Sequence, residues 1–219
     1  MSDTTPLPPI VSRDEWLSAS AELLVHEKAA TRTLDALAAR RRRMPMVAIP
    51  GGYTFTGPDG ELSLPDLFDG RVQLIVYQFM DNGPDDHCSG CASVCDNISR
   101  HEHLNARDTS FAVVSDMPYP QIEAFQYRMQ WSFPFVSSHG TVFAGDCGAG
   151  RGFGISVFLR DGDNVYQTYF STDRGADKMR LDFALLDLTP YGRQEDWEDS
   201  PDGWPQTPPY QWWRLHDEY

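Results

Sequence analysis

The run VQLIVYQFM (72–80) leads through the loop DNGPDDH (81–87) into CSGCASVCDNISRHEHLN (88–105). The first part is the most apolar, β-prone stretch of the chain and predicts a central strand buried on both faces. The last part has helical spacing, so a strand–loop–helix unit is expected. The loop then lies at the carboxyl end of the strand, where open α/β sheets place their sites.

The reading extends in both directions. Downstream, Thr109 to Ser115 is a second buried strand, and Gln121 to Met129 is a helix with Ile122, Phe125 and Met129 on one side. Phe133 to Val136 is a short extended piece, and GDCGAGRGFG (145–154) reads as a flexible loop. Ile155 to Leu159 and Val165 to Phe170 form a hairpin across Asp161-Gly162, and Met179 to Leu186 is a final helix. Upstream, Met46 to Ile49 and Tyr53 to Thr56 are short strands, and Leu64 to Phe68 is one helical turn. Ser12 and Glu15 read as a capping box opening a long helix from Arg13 to Arg43, with Trp16, Leu23, Ala30, Leu34 and Leu37 mostly on one stripe. The alternation gives a three-layer α/β/α domain. Three regions result: a lead-in and long helix over 1–45, the α/β domain over 46–187, and an arm over 188–219 packed on the domain. The arm is rich in Pro and acid, yet Trp197, Trp204, Tyr210, Trp212 and Trp213 argue against a solvated tail.

With 219 residues, 41% of them hydrophobic, the chain can build a real core. It holds 18 basic against 32 acidic residues, a net charge of -14. Such a surface repels phosphate backbones and anionic lipid, so neither nucleic acid nor a membrane is expected as a partner. The run Arg40 to Arg43 reads as cations at a helix C-terminus. A cytoplasmic location is expected, because the sequence shows no secretory signal and no apolar span.

Cys88-Ser89-Gly90-Cys91 carries the chemistry. The first thiol falls at a helix N-terminus, where free N–H groups stabilise a thiolate. The second lies one turn on, on the same face, and can close a disulfide. His87 as an imidazolium could lower the Cys88 pKa further, whereas Asp85 and Asp86 oppose ionisation. Cys95 fits a small buried hydrophobe or a third sulfur on that face. Cys147 lies in the Gly-rich loop, as an unreactive thiol or as a resolving partner brought to Cys88. A metal site built on Cys88, Cys91 and Cys95 is the competing reading.

LSLPDLFDGRVQLIVYQFM (62–80), the C-x-x-C helix, NARDTSFAVVS (105–115) and SFPFVSS (132–138) together resemble the thioredoxin-like superfamily, nearest its peroxiredoxin and alkyl hydroperoxide reductase branch. HLNARDTSF (103–111), ISVFLRDG (155–162), DLTPYGR (187–193) and the terminal HDEY (216–219) resemble a bacterial domain-of-unknown-function family, number eight-nine-nine, within that fold. The resemblance implies a thioredoxin-like α/β/α fold, with Cys88 as nucleophile and Cys91 as resolving thiol. Two patterns differ. Pro84-Asp85-Asp86-His87-Cys88 lacks the hydroxyl residue that peroxiredoxins place before their cysteine, and Gly154-Ile155-Ser156-Val157 has no Pro where thioredoxins carry a cis-Pro.

The expected function is a thiol–disulfide oxidoreductase or thiol-dependent peroxidase. It needs no bound organic cofactor, uses a small thiol or peroxide substrate, and is restored by a reductant protein. The alternatives are a Cys/His metal-binding protein and a non-catalytic binding or assembly module, with a homodimer among the possible assemblies.

Overall fold

A computed structural model describes residues 6–98 and 100–219. Residues 1–5 of the lead-in lie outside the described residues. The chain opens with helix α1 (Arg13–Arg41), and Ser12 and Glu15 do form the capping box. Two short strands follow, β1 (Val47–Ala48) and β2 (Thr54–Gly57), then β3 (Gly60–Ser63), which the sequence reading missed. A 3-10 turn over Pro65–Phe68 leads into β4 (Gln73–Phe79).

Helix α2 (Ser89–Asp96) starts one residue after Cys88 and stops well short of the helical span expected from the sequence. The helix ends at its C-cap Asn97, and a separate turn, α3 (Glu102–Asn105), carries His103, with His101 at its N-cap. Strand β5 (Thr109–Ser115), helix α4 (Tyr119–Arg128) and β6 (Phe135–Ser137) follow. Helix α5 (Phe143–Asp146) takes in the first two residues of the expected Gly-rich loop. Strands β7 (Gly154–Asp161) and β8 (Asn164–Ser171) form the expected hairpin, closed by Gly162 at φ 58°, a conformation glycine adopts at no steric cost. A 3-10 segment over Asp173–Met179 precedes α6 (Leu181–Leu186).

The eight strands form one sheet in the order β1-β8-β7-β4-β5-β6-β2-β3. At its centre β4 runs parallel to β5 and antiparallel to β7, and β8 is antiparallel to β7. The order β5-β4-β7-β8, with a helix between β4 and β5 and another after β8, is the thioredoxin-like core. Strands β4 and β5 read as continuous apolar runs because both of their faces are covered.

Each face carries its own core. Tyr77 and Phe79 of β4 point to one side, against Cys91 and Cys95 of α2 and Ile122 and Phe125 of α4. Leu74 and Val76 point to the other, against Phe55, Phe68, Phe143 and Cys147. Helices and turns therefore lie on both sides of the sheet. Helix α1 lies apart from both cores: none of its residues is buried, and Trp16, Leu23, Leu34 and Leu37 of the expected apolar stripe are exposed. Its arginines finish the helix as expected, with Arg43 Nη1 donating to the Ala39 carbonyl at 2.7 Å.

The C-terminal arm is irregular yet tightly fixed. Glu195 is completely buried and its carboxyl oxygens accept from Trp197 Nε1 at 2.6 Å, the Tyr210 backbone N–H at 2.8 Å and Trp212 Nε1 at 3.0 Å. Arg180, 2% exposed, stacks 4.0 Å from Phe183 and 4.7 Å from Trp213. Beyond Trp213, Arg128 of α4 grips Asp217 and Glu218, and His216 bonds Asp96 at the end of α2. The arm therefore crosses α2 from its first turn to its last residue.

Candidate active site

Cys88 is the N-cap of α2. Its Sγ accepts the Cys91 backbone N–H at 3.2 Å, satisfying one of the orphan donors of the first turn. The thiol is half-buried. Its pKa is held down to about 7, chiefly by a hydrogen bond from the Cys91 thiol and further by the backbone N–H groups of Cys91 and Gly90. Burial and the negative charge of Asp86 act in the opposite sense. At neutral pH a large share of Cys88 is therefore thiolate.

Cys91 is 1% exposed, and burial pushes its thiol well above the ordinary value, with the neighbouring Cys88 adding to the rise. One turn of helix thus sets two thiols apart: an ionised, reachable sulfur and a protonated, buried one that can donate to it. Beneath them the buried Tyr77 hydroxyl lies beside the Cys91 thiol, and burial raises its pKa well above the ordinary value.

The other sequence candidates fall elsewhere. Cys95 is fully buried in the core beneath α2, and burial raises its pKa. His87 stacks on Phe125 with ring centroids 3.8 Å apart, and its pKa is lowered, first by burial and then by Arg128. The shift disfavours the imidazolium expected to lower the Cys88 pKa. Cys147 is buried on the opposite face of the sheet. Its carbonyl accepts from Gln167 Nε2 at 2.8 Å, and burial, then Asp146, raises its thiol to about 12. Among the described residues no group of three or more His, Cys, Asp or Glu is arranged to hold a metal ion. The break after α2 explains part of this, since it takes His101 and His103 off the cysteine helix.

A cavity of about 440 Å³ opens on the two thiols. Cys88 and Cys91 share its wall with Tyr77, Met80, Phe153 and Trp213, and Tyr210 closes another part. Trp213 lies directly on the C-x-x-C turn: a Cβ at Gly90 would sit 2.6 Å from its Cζ3. Residue 90 must therefore lack a side chain for the arm to lie down here. The arm reads in the sequence as packed aromatics, but no signal there places Trp213 on the cysteines. Tyr77 and Arg180 were likewise hidden, one inside an apolar strand and the other among surface-like charges.

The family model described as "Bacterial protein of unknown function (DUF899)" matches residues 5–219, nearly the whole chain. The chain belongs to that family. No curated protein matches it. Among solved structures it resembles a secreted disulfide oxidoreductase of Mycobacterium tuberculosis, with 12% identity, a TM-score of 0.38, and coverage of 61% of this chain and 96% of the other. It also resembles a thiol:disulfide interchange protein of the thioredoxin family from Chlorobium tepidum, with 14% identity, a TM-score of 0.39, and coverage of 62% and 94%. No helix among the described residues is long and apolar enough to cross a membrane.

Proposed function

We propose that this family member is a thiol–disulfide oxidoreductase in which Cys88 is the nucleophile and Cys91 the resolving thiol. One observation carries the reading: the Cys88 sulfur caps α2, takes the Cys91 N–H at 3.2 Å, and has its pKa held at about 7 beside a buried, protonated Cys91. A thiolate at a helix N-terminus attacks a disulfide sulfur, and a second thiol one turn away displaces it from the mixed disulfide. A reducing compartment such as the cytoplasm, with an external dithiol reductant, would return the pair to its resting state.

The test is the pH dependence of iodoacetamide alkylation of the reduced protein, followed by peptide mapping after mild oxidation. The expected result is a Cys88 midpoint near 7 and a single disulfide joining Cys88 to Cys91. A midpoint near the unperturbed value of about 8.5, with no such disulfide, would overturn the reading.

A further inference from the structure

Resting on that reading, we propose that the site reduces low-molecular-mass disulfides with an apolar or aromatic body, and shuts out disulfides held in proteins. Three observations support this. First, the thiols open into a bounded cavity of about 440 Å³, a size suited to a small organic molecule. Second, the ground an extended polypeptide would occupy is taken. Trp213 sits on Gly90, Tyr210 lies tilted against Trp213 with centroids 4.6 Å apart, and β7 is paired on both edges. A peptide would find neither an open groove nor a free strand edge.

Third, the wall combines apolar and aromatic side chains, Met80, Phe153 and Trp213, with the charged Asp173, Arg174, Asp177 and Arg180. The first three would pack an apolar or aromatic ligand body. The arm that builds this roof is not loosely laid, being held by the buried Glu195 and by the Asp96 and Arg128 contacts at the far end of α2.

The chemistry balances as two exchanges. The Cys88 thiolate attacks one sulfur of R–S–S–R, a Cys88–S bond forms, the S–S bond breaks, and RS⁻ departs. That thiolate takes the Cys91 proton. Cys91 then attacks the Cys88 sulfur, the second RS⁻ leaves and takes a proton from water, and the protein holds a Cys88–Cys91 disulfide. The substrate gains two electrons and the protein loses two.

The experiment measures, by stopped-flow tryptophan fluorescence, oxidation of the reduced full-length protein. Three probes are used: 5,5′-dithiobis(2-nitrobenzoate), cystamine and the interchain disulfides of insulin. Each rate is divided by that of free dithiothreitol with the same probe. The normalised rate should be highest for the aromatic disulfide, lower by about tenfold or more for cystamine, and undetectable for insulin. Trp213→Phe keeps an aromatic roof, so the aromatic preference and the exclusion of insulin should both persist. Trp213→Ala opens the roof and should admit insulin. Should that variant misfold, Trp213→Phe and the wild-type ranking still decide. Insulin reduced by the wild type as readily as the aromatic probe, or cystamine reduced as readily as the aromatic probe, would overturn the proposal while leaving the Cys88–Cys91 couple standing. Failure of every probe to form that disulfide would overturn both.

Discussion

Cys88 and Cys147 cap opposite ends of two helices. Cys88 precedes α2, receives backbone and thiol hydrogens, and is held at about 7. Cys147 follows α5, is buried on the far face of the sheet, and stands at about 12 through burial and the charge of Asp146. The same side chain is therefore a nucleophile in one place and an inert packing group in the other. Burial acts in the same direction on both, so the donors aimed at the sulfur make the difference.

The largest consequence is kinetic. Cys88→Ser should lower alkylation of the native protein at pH 7 by more than about 100-fold, whereas Cys147→Ser should change it by less than about twofold. Comparable losses in both variants would break the contrast. Next comes the turn that presents Cys88. Gly90→Ala gains helix propensity of about 1 kcal/mol, but its Cβ would meet Trp213, and the overpacking should cost about 2 kcal/mol or more. Thermal unfolding should show a lower Tm, and an unchanged or raised Tm would mean that the arm does not lie on α2.

Removing the donor sharpens the comparison further. In Cys91→Ala the Cys88 midpoint should rise toward about 8.5, lowering alkylation at pH 6 by about tenfold. A midpoint still near 7 would leave the backbone N–H groups as the whole cause. The smallest effect is on stability. The Cys88 pKa is lower in the folded protein than in the unfolded chain, so its ionisation stabilises the fold above the unfolded value. That contribution is lost as pH falls through about 7. Reduced wild type compared with Cys88→Ala across pH 6 to 9 should reveal about 1 kcal/mol of this kind.

The sequence made the central layer legible because β4 and β5 are buried on both faces and leave an uninterrupted apolar record. The position of Cys88 followed from the strand that precedes it and the helical spacing that follows. What stayed hidden depends on contacts distant in the chain. Glu195 sits in QEDWEDS (194–200), which reads as a solvated acidic run, and only its three donors show it to be the buried centre of the arm. The apolar residues of α1 suggested a core face, yet none of the helix's residues is buried. Helical spacing ran on past Asp96, but the backbone leaves the helix there, and Asn97 Oδ1 accepts the Asp182 N–H of α6 instead. The Gly-rich loop looked free to carry Cys147 toward Cys88, whereas Gln167 and the core beneath the sheet anchor it.

The central claim is tested most directly by equilibrating the intact protein with dithiothreitol redox buffers and mapping its disulfides by mass spectrometry at each potential. The account predicts one two-electron transition, with Cys88 joined to Cys91 and with Cys95 and Cys147 remaining thiols throughout. No transition, or a disulfide that includes Cys147, would contradict it.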